Sequence, residues 1–428
     1  MSKKLFDFIA ACPTPYHAAA HIAGMLEKEG YACLRECDDW KLKRGGKYYV
    51  TRNRSSVIAF RIPKAEPRGF MMTAAHDDAP TFRLKESAEV TDGRYVRLGV
   101  EPYGGAIFST WIDRPLGIAG RVTVRTKDGL ETRLVELKNT RVMIPNVAIH
   151  MDRSVNTGKD FNAARDMLPL FGTADKKGKL AALVAKAAGA KEKDIISSEL
   201  MLYNPQPGTE WGDFISAPRL DDQQCAFATL SAFLAAKDAA SVPVCCILDN
   251  EECGSTTKQG AAGTFILDTL QRISDALGSD AGFFRRMIAQ SFMLSCDTGH
   301  AVHPNHPEYA DKNDAPEMNK GIVIKFNSQQ KYTSDAVSAG IFRLLCDRAG
   351  VPYQTYTNRA DLPGGGTLGN IANTQVSLNT VDIGFAQLAM HSSYETAGKQ
   401  DMESFEKALT LFFGSSIIMQ ADGAYDIV

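Results

Sequence analysis

The sequence predicts an α/β fold, in which a mixed central sheet flanked by helices is interrupted by an inserted β-rich module. Three observations support this. Apolar runs without alternation recur along the chain, and such runs are typical of strands buried on both faces. Stretches with helical periodicity lie between several of these runs. From about residue 86 to residue 213 the pattern changes to the alternation typical of a half-exposed antiparallel sheet.

Length and composition indicate a globular protein of more than one domain. The 428 residues are too many for one compact core, and the contents of 44% hydrophobic and 23% charged residues are ordinary. A formal net charge of -2 argues against nucleic acid and anionic membranes as partners. No apolar run has the length of a bilayer span, and an acid interrupts the first apolar run, so no signal peptide is predicted. The nine scattered cysteines predict reduced thiols and a cytoplasmic location.

The first part of the chain leads to a polar corner at the end of a strand. Helical spacing covers residues 17–31, a hairpin is predicted over 48–62, and 69–75 reads as a buried strand. This strand runs into His76 and Asp78, which share a face because they are two residues apart. Asp78 can then accept a hydrogen bond from one ring nitrogen of His76 and leave the other as a ligand. Taken alone, the pair also fits a surface turn.

The inserted module is predicted to span residues 87–213, and the catalytic unit to comprise residues 1–86 and 214–428. Within the module, alternation at 121–126 and 132–137 around a Lys-Asp-Gly turn predicts an antiparallel hairpin. A lysine- and alanine-rich stretch at 178–190 predicts a helix.

Regular α/β patterning resumes at Asp221, which precedes a helical stretch at 225–236 and on its own also fits a plain helix cap. The apolar run 242–248 predicts a central buried strand, and it ends in Asp249-Asn250-Glu251-Glu252. Ligands of open α/β sheets bind beyond the carboxyl ends of strands, where these side chains would lie. An isolated acidic pair of this kind also fits a solvated turn. The remaining predicted elements are helical stretches at 263–288, 334–349 and 402–413 and strands at 291–296, 322–326 and 376–384.

Ionisable side chains follow most of these strands, and neighbouring parallel strands would bring them to one edge of the sheet. Carboxylate and imidazole donors without thiolates suit zinc, manganese or cobalt in a hydrolytic site. Four of the residues are acids, and their mutual repulsion would raise their pKa values unless cations offset it. Two divalent ions balance this charge, as in the paired sites of aminopeptidases and phosphatases. The residues are His76, Asp221, Glu251, Glu252, Asp297 and His391.

Six ordered segments resemble the motifs of the aspartyl aminopeptidase family, which are dinuclear zinc aminopeptidases. The resemblance covers nearly the whole chain. It implies a catalytic α/β domain interrupted by a dimerisation domain, release of N-terminal acidic residues from peptides, and a homo-oligomer, usually a dodecameric shell built from dimers. The segments are 75–80, 144–150, 217–221, 249–255, 300–305 and 387–392, and those at 13–18, 103–105 and 109–114 are also similar to the family.

The resemblance also implies roles for individual residues. Glu251 is the expected general base and Asp78 the residue that orients His76. Lys325 is the expected partner of an acidic substrate side chain, although on sequence alone it also fits an edge-strand lysine that suppresses aggregation. The expected metal ligands are Asp221, bridging both ions, His76 and Asp297 at one ion, and Glu252 and His391 at the other. The expected substrate contacts are His150, reaching a neighbouring subunit, His300, Lys325 and Tyr332.

Several features depart from the family pattern or suggest other readings. Asp77 stands where relatives commonly carry Thr, and we expect its side chain to point away from the site. The glycines of 359–369 superficially resemble a phosphate loop, but no Gly-Lys-Ser/Thr follows them. His303 and His306 lie near His300 in the sequence, but prolines and the lack of thiol partners disfavour a separate zinc site there. Two other functions are considered, a metal amidohydrolase acting on N-acyl amino acids and a non-catalytic scaffold that forms a shell.

Overall fold

A computed structural model describes residues 1–278 and 280–428 of the chain. The elements below are numbered in chain order. The helices are α1 (Ser2–Ala11), α2 (Pro15–Lys28), α3 (Ala163–Asp166), α4 (Lys179–Ala187), α5 (Leu220–Ala235), α6 (Phe265–Ala276), α7 (Ala281–Ala289), α8 (Ala336–Ala349), α9 (Leu368–Ala372) and α10 (Asp401–Phe413). The strands are β1 (Ala32–Leu34), β2 (Lys47–Arg52), β3 (Ser56–Arg61), β4 (Phe70–His76), β5 (Thr81–Thr91), β6 (Tyr95–Tyr103), β7 (Gly117–Arg125), β8 (Leu130–Glu136), β9 (Leu170–Thr173), β10 (Ile195–Tyr203), β11 (Thr209–Trp211), β12 (Phe214–Ala217), β13 (Val242–Leu248), β14 (Phe292–Cys296), β15 (Gly299–His300), β16 (Ile322–Phe326), β17 (Tyr353–Thr357), β18 (Asn379–Gly384), β19 (Ala386–Leu388), β20 (Glu395–Gly398), β21 (Ile417–Ala421) and β22 (Ala424–Ile427).

The central sheet is mixed, as the sequence predicts. Its nine strands lie in the order β1-β2-β3-β13-β4-β14-β18-β16-β17. The four strands β13, β4, β14 and β18 run parallel to one another, whereas β3 and β16 are antiparallel to their neighbours in this group. The carboxyl ends of the four parallel strands therefore lie along one edge of the sheet.

Both faces of the central sheet are covered, which explains why its strands show no polar alternation. On β13, Cys245 and Ile247 belong to the core that also contains side chains of α1, α2, α5, α8 and α10. Val244 and Cys246 belong to the core on the opposite face, together with side chains of α6, α7 and α9. The strand is thus buried along its full length between two layers of helices.

The segment between the two parts of the central sheet forms a second, six-stranded sheet in the order β8-β7-β10-β5-β6-β9. This sheet is antiparallel and has its own hydrophobic core, against which α4 packs. The predicted hairpin is β7–β8, and the predicted helix at 178–190 is α4. Strand β5 begins at Thr81, directly after the His76–Pro80 corner.

Some elements differ in detail from the prediction. The helical stretch at 263–288 is two helices, α6 and α7, and Ser279 between them lies outside the described residues. Asp221 has a ψ of 109°, which is not helical, and Arg219 precedes α5 with a φ of 57°. A plain helix cap is therefore not what Asp221 provides.

Across residues 1–278 and 280–428, no helix combines the length and the apolar character needed to cross a bilayer.

Candidate metal centre and active site

The predicted metal ligands converge at the carboxyl edge of the four parallel strands. His76 is the last residue of β4, Asp297 directly follows β14, and Glu252 lies in a turn of 3-10 helix just after β13. Asp221 comes from the start of α5, and His391 from the loop between β19 and β20. Residues from five separate stretches of the chain thus meet because strand order, not sequence distance, brings them together.

Asp221 lies between the two imidazoles. One of its oxygens is 3.7 Å from Nε2 of His76, and the other is 3.5 Å from Nε2 of His391. Nε2 of His76 is also 3.9 Å from Asp297, and Nε2 of His391 is 3.4 Å from Glu252. The two imidazole nitrogens therefore each face two carboxylates, with Asp221 common to both pairs.

Hydrogen bonds hold both imidazoles from the side away from these carboxylates. Nδ1 of His76 lies 3.0 Å from the carbonyl oxygen and 3.2 Å from the carboxylate of Asp78. Nδ1 of His391 lies 3.1 Å from the carbonyl oxygen of Gly105. Because carbonyl and carboxylate oxygens only accept hydrogen bonds, these contacts place the ring proton on Nδ1 and leave Nε2 as the free donor atom for a metal.

Two further acids, which no local sequence pattern singles out, support the site. Glu395 accepts hydrogen bonds from the backbone amides of His391 and Asp221, at 2.8 and 2.9 Å. Burial, followed by the charge of Asp221, raises the pKa of Glu395 to about 8. Asp222 accepts a hydrogen bond from the backbone amide of His76 at 3.2 Å, and its carboxylate forms a group with His76 and Asp297 whose ligand atoms lie within 4.8 Å of one another.

The chemistry of the cluster fits bound divalent cations. Oδ1 of Asp221 and Oε1 of Glu252 are buried, and neither has a hydrogen-bond partner among the described residues. Such atoms are costly to bury unless a ligand satisfies them. The group formed by His76, Asp221 and Glu252 has its ligand atoms within 4.8 Å of one another, which is compatible with a shared ion.

The pKa values of the cluster show the same need for positive charge. Burial lowers the pKa of His76, but its contacts with the carboxylates of Asp221, Asp297 and Asp78 outweigh burial and hold it well above the usual value. Burial and the charge of Asp221 raise the pKa of Glu252. Cations bound among these carboxylates would offset the same negative charge.

Glu251 lies beside the cluster and faces the same cavity. Its backbone amide donates to a carboxylate oxygen of Asp78 at 3.1 Å, and the amide of Glu252 donates to the other oxygen at 3.1 Å. Burial raises the pKa of Glu251 to about 8, with contributions from the charges of Asp297, Asp78 and Asp221 and an opposing one from His76. A carboxylate with such a pKa is suited to exchanging protons near neutral pH.

The cavity at this site has a volume of about 570 Å³ and contains three of the four predicted substrate contacts. His300, Lys325 and Tyr332 line it together with the candidate ligands, whereas the exposed His150 does not. Lys325 is only 1% exposed, and its ammonium group donates to the carbonyl oxygen of Thr298 at 3.1 Å. It therefore lies in the floor of the cavity and not on an edge strand exposed to solvent.

Asp77 lies away from this cavity, as expected. It is fully buried, and within the described part of the chain neither carboxylate oxygen has a hydrogen-bond partner. Its carboxylate, with those of Asp78 and Asp249, forms a cluster whose oxygens lie within 4.8 Å of one another. Burial, the charge of Asp249 and that of Asp78 raise its pKa well above the usual value.

His303 and His306 do not join any candidate metal cluster of the described residues. Both are exposed, and their rings lie 5.2 Å apart.

Comparison with known proteins identifies the family. The family model of aminopeptidase I zinc metalloproteases (M18) matches residues 8–413. The chain belongs to the M18 aminopeptidase family. A probable M18 family aminopeptidase 2 from Clostridium acetobutylicum is 43% identical over 424 residues, which cover 96% of this chain and 98% of the relative. Another from Pseudomonas aeruginosa is 40% identical over 428 residues, 97% of this chain and 98% of the relative.

Solved structures agree with this assignment. The structure of the Ape4 and Nbr1 complex includes a chain with a TM-score of 0.92 and 34% identity, covering 96% of this chain and 85% of that one. The S. cerevisiae mApe1 dodecamer gives a TM-score of 0.84 and 31% identity, with coverage of 96% and 95%. The predicted fold and the resemblance to aspartyl aminopeptidase, an M18 member, are therefore confirmed, and this protein is a zinc aminopeptidase and a hydrolase. An N-acyl amidohydrolase and a non-catalytic scaffold are not favoured.

Proposed function

We propose that this M18 aminopeptidase uses two divalent metal ions to release N-terminal residues from peptides, with a preference for Asp and Glu. The observation that carries the proposal is the position of Asp221, whose two oxygens face Nε2 of His76 at 3.7 Å and Nε2 of His391 at 3.5 Å. A carboxylate flanked by two imidazole donors is suited to bridging a pair of ions.

The metal ligands in this proposal fall into two sets that share Asp221. His76 and Asp297 complete the first set, and His391 and Glu252 complete the second. Each set contains one imidazole and two carboxylates, which suits zinc and also allows manganese or cobalt.

Bound ions would supply Lewis acidity to the scissile carbonyl and to the attacking water and would offset the charge of the carboxylates. Glu251 acts as the general base and takes a proton from the water as its oxygen bonds to the carbonyl carbon. The same carboxyl group then gives this proton to the amine nitrogen as the carbon–nitrogen bond breaks. Asp78 holds His76 with Nδ1 protonated throughout the reaction, so Nε2 stays available as a donor atom.

Substrate selection follows from the charges that line the cavity. The free amino group of the substrate binds among the carboxylates near Glu251 and Glu252, which makes the enzyme an exopeptidase. Lys325, with His300 and Tyr332 beside it in the lining, provides the cationic pocket for an acidic first side chain.

Assembly is part of the same proposal. Residues 87–213 act as a dimerisation domain, and His150 reaches the cavity of a neighbouring subunit in a homo-oligomer, a dodecamer built from dimers in the cytoplasm. The exposed apolar side chains beside His150 support a contact surface, because Met151 is 82% exposed and Val147 and Ile149 are each 43% exposed. The M18 protein mApe1 from S. cerevisiae is itself a dodecamer.

A single experiment tests the main claims. Metal content of the purified oligomer is measured while hydrolysis is assayed on peptides that begin with Asp, Glu, Ala or Leu and on N-acetylated versions of the same peptides. We expect two ions per chain, faster release of Asp and Glu, and no turnover of the acetylated peptides. Equal turnover of free and acetylated peptides would contradict the aminopeptidase mechanism, and one ion per chain would contradict the paired site.

A further inference from the structure

One short segment at the end of strand β6 touches both candidate imidazole ligands, directly or through one residue. In this segment, Tyr103–Gly105, Tyr103 is the last residue of β6 in the six-stranded sheet and the two glycines directly follow it, whereas most of the candidate ligands are carried by the central sheet. The hydroxyl group of Tyr103 donates to Oδ2 of Asp78 at 2.7 Å, and the carbonyl oxygen of Gly105 lies 3.1 Å from Nδ1 of His391.

The direction of the hydrogen bonds at Tyr103 is fixed by its neighbour Asn250. The side-chain oxygen of Asn250 accepts from Gln259 and Thr257 at 2.7 and 2.9 Å. Its amide nitrogen therefore donates to the Tyr103 oxygen, at 2.9 Å. Because Tyr103 accepts this bond, its own proton is directed to Asp78.

Asp78 connects Tyr103 to the candidate metal ligand His76 by hydrogen bonds. One of its oxygens accepts from Tyr103 and from the amide of Glu252, and the other accepts from the amide of Glu251 and faces Nδ1 of His76 at 3.2 Å. With every acceptor position engaged, the carboxylate has one orientation, and the ring of His76 is held with Nε2 toward Asp221 and Asp297.

The two glycines allow the segment to approach the site this closely. Gly104 has a φ of +68°, and a Cβ on it would lie 3.0 Å from Cβ and 3.2 Å from Oε2 of Glu252. A Cβ on Gly105 would lie 3.3 Å from Nδ1 of His391. Side chains at either position would press on a candidate metal ligand.

From these contacts we infer that Tyr103–Gly105 is a positioning segment through which the inserted sheet sets the orientation of both imidazole ligands, so that metal affinity depends on the inserted sheet as well as on the ligands. The inference rests on the metal-ligand roles proposed above. Tyr103 acts through Asp78 and is a positioning residue, whereas Gly105 acts on His391 by its own carbonyl group.

The test compares Tyr103→Phe with Tyr203→Phe in the full-length zinc-loaded protein. Tyr203 is a matched control, because its hydroxyl also donates to a carboxylate of the six-stranded sheet, Glu136 at 2.8 Å, but does not line the metal cavity. Zinc affinity is measured by competition with a chromophoric chelator, and thermal stability is measured with and without zinc. Losing a direct hydrogen-bond partner of a ligand usually weakens metal binding by about 10- to 100-fold. Because Tyr103 acts through Asp78, we expect Tyr103→Phe to weaken zinc binding by about 10-fold, at the low end of this range, and Tyr203→Phe to leave it unchanged.

A second pair of variants tests the contact between Gly105 and His391. Gly105→Ala is compared with Gly129→Ala, since a Cβ on Gly129 meets nothing within 4 Å. We expect weaker zinc binding only for Gly105→Ala. Zinc affinity equal to that of the wild-type protein in all four variants would overturn the inference and leave the proposed function intact. A wild-type protein that binds no zinc would overturn the proposed function itself.

Discussion

The ammonium nitrogen of Lys325 lies 3.4 Å from a carboxylate oxygen of Asp297 in the floor of the active-site cavity. Burial alone would lower the pKa of Lys325, but the charge of Asp297 and smaller contributions from Tyr332 and Asp382 together outweigh burial and raise the pKa, so the side chain keeps its charge. Lys325 thus touches a candidate metal ligand and the proposed pocket for an acidic side chain at the same time.

Replacing Lys325 separates these two contacts. We expect Lys325→Ala to reduce kcat/KM for peptides beginning with Asp or Glu by about 10- to 100-fold more than for those beginning with Ala or Leu, because a buried charged partner is lost only for the acidic side chain. The matched control is Lys331→Ala, since the ammonium group of Lys331 donates hydrogen bonds to the carbonyl oxygens of Pro363 and Gly364, and none of these three residues lines this cavity. Equal losses on both classes of peptide would show that Lys325 only supports Asp297.

The general base can be tested without disturbing the metal ligands. We expect Glu251→Gln to lower kcat by about 10²- to 10⁴-fold, because the amide cannot accept the proton of the attacking water. Bound zinc and the oligomeric state, measured by elemental analysis and light scattering, should not change. Glu308→Gln serves as the control, since Glu308 is exposed and does not line the cavity. Undiminished turnover in Glu251→Gln would remove this residue from the mechanism.

Removal of the metal should destabilise the protein as well as inactivate it. The carboxylates of Asp221 and Glu252 would lose the charges that offset their repulsion, so we expect the chelator-treated protein to unfold at a lower temperature and regain both stability and activity with added zinc. Differential scanning calorimetry during a zinc titration measures the thermal midpoint of the metal-free protein and that of the zinc-loaded protein. A thermal midpoint that zinc does not move would contradict the proposed cluster.

Gly384 at the end of β18 tests how closely the sheet packs against a ligand. A Cβ on Gly384 would clash with the backbone carbonyl of Asp297. We therefore expect Gly384→Ala to lower stability by at least about 1 kcal/mol, as overpacking does, and to weaken zinc binding. Gly340 in α8 offers the matched control, because a Cβ there meets nothing within 4 Å, and its replacement by Ala should stabilise the helix by about 0.5–1 kcal/mol. Urea unfolding of both variants measures these changes in the free energy of unfolding.

The stability of the protein should fall in mild acid partly because of His17. Burial lowers the pKa of His17 from 6.5 to about 4, and its Nδ1 lies 2.8 Å from the hydroxyl of Thr14. The unfolded chain takes up a proton below pH 6.5 that the folded chain takes up only near pH 4, so stability present above pH 6.5 is lost as the pH falls through this window. We expect this loss to reach about 1–3 kcal/mol. Unfolding of His17→Gln should show a flatter dependence between these pH values, and an unchanged slope would assign the loss to other groups.

Most of the central sheet could be predicted because each strand is a local pattern. The run 242–248 lacks polar alternation since both of its faces are covered, and the acids that follow it mark the end of a strand. The small sheet β11-β12-β20-β19-β15 was not predicted, because its strands of two to four residues are too short to show a period.

Residue types and a family resemblance predict the metal cluster, but they do not predict the acids that support it. Glu395 accepts a hydrogen bond from the backbone amide of Asp221, which lies 174 positions away in the sequence. No sequence pattern near Glu395 indicates this contact. Asp222 has the pattern of an ordinary acid in the first turn of a helix, yet its carboxylate accepts a hydrogen bond from the backbone amide of His76. Contacts of this kind depend on strand order, which local patterns do not encode.

Because the residues that surround Asp221 are spread between His76 and His391, a growing polypeptide cannot assemble the cluster early in its synthesis. The central strands can begin to pair while later segments are still inside the ribosome, but the second imidazole emerges only after the whole six-stranded sheet has been made. A nascent chain therefore carries no complete set of candidate metal ligands until His391 has been added.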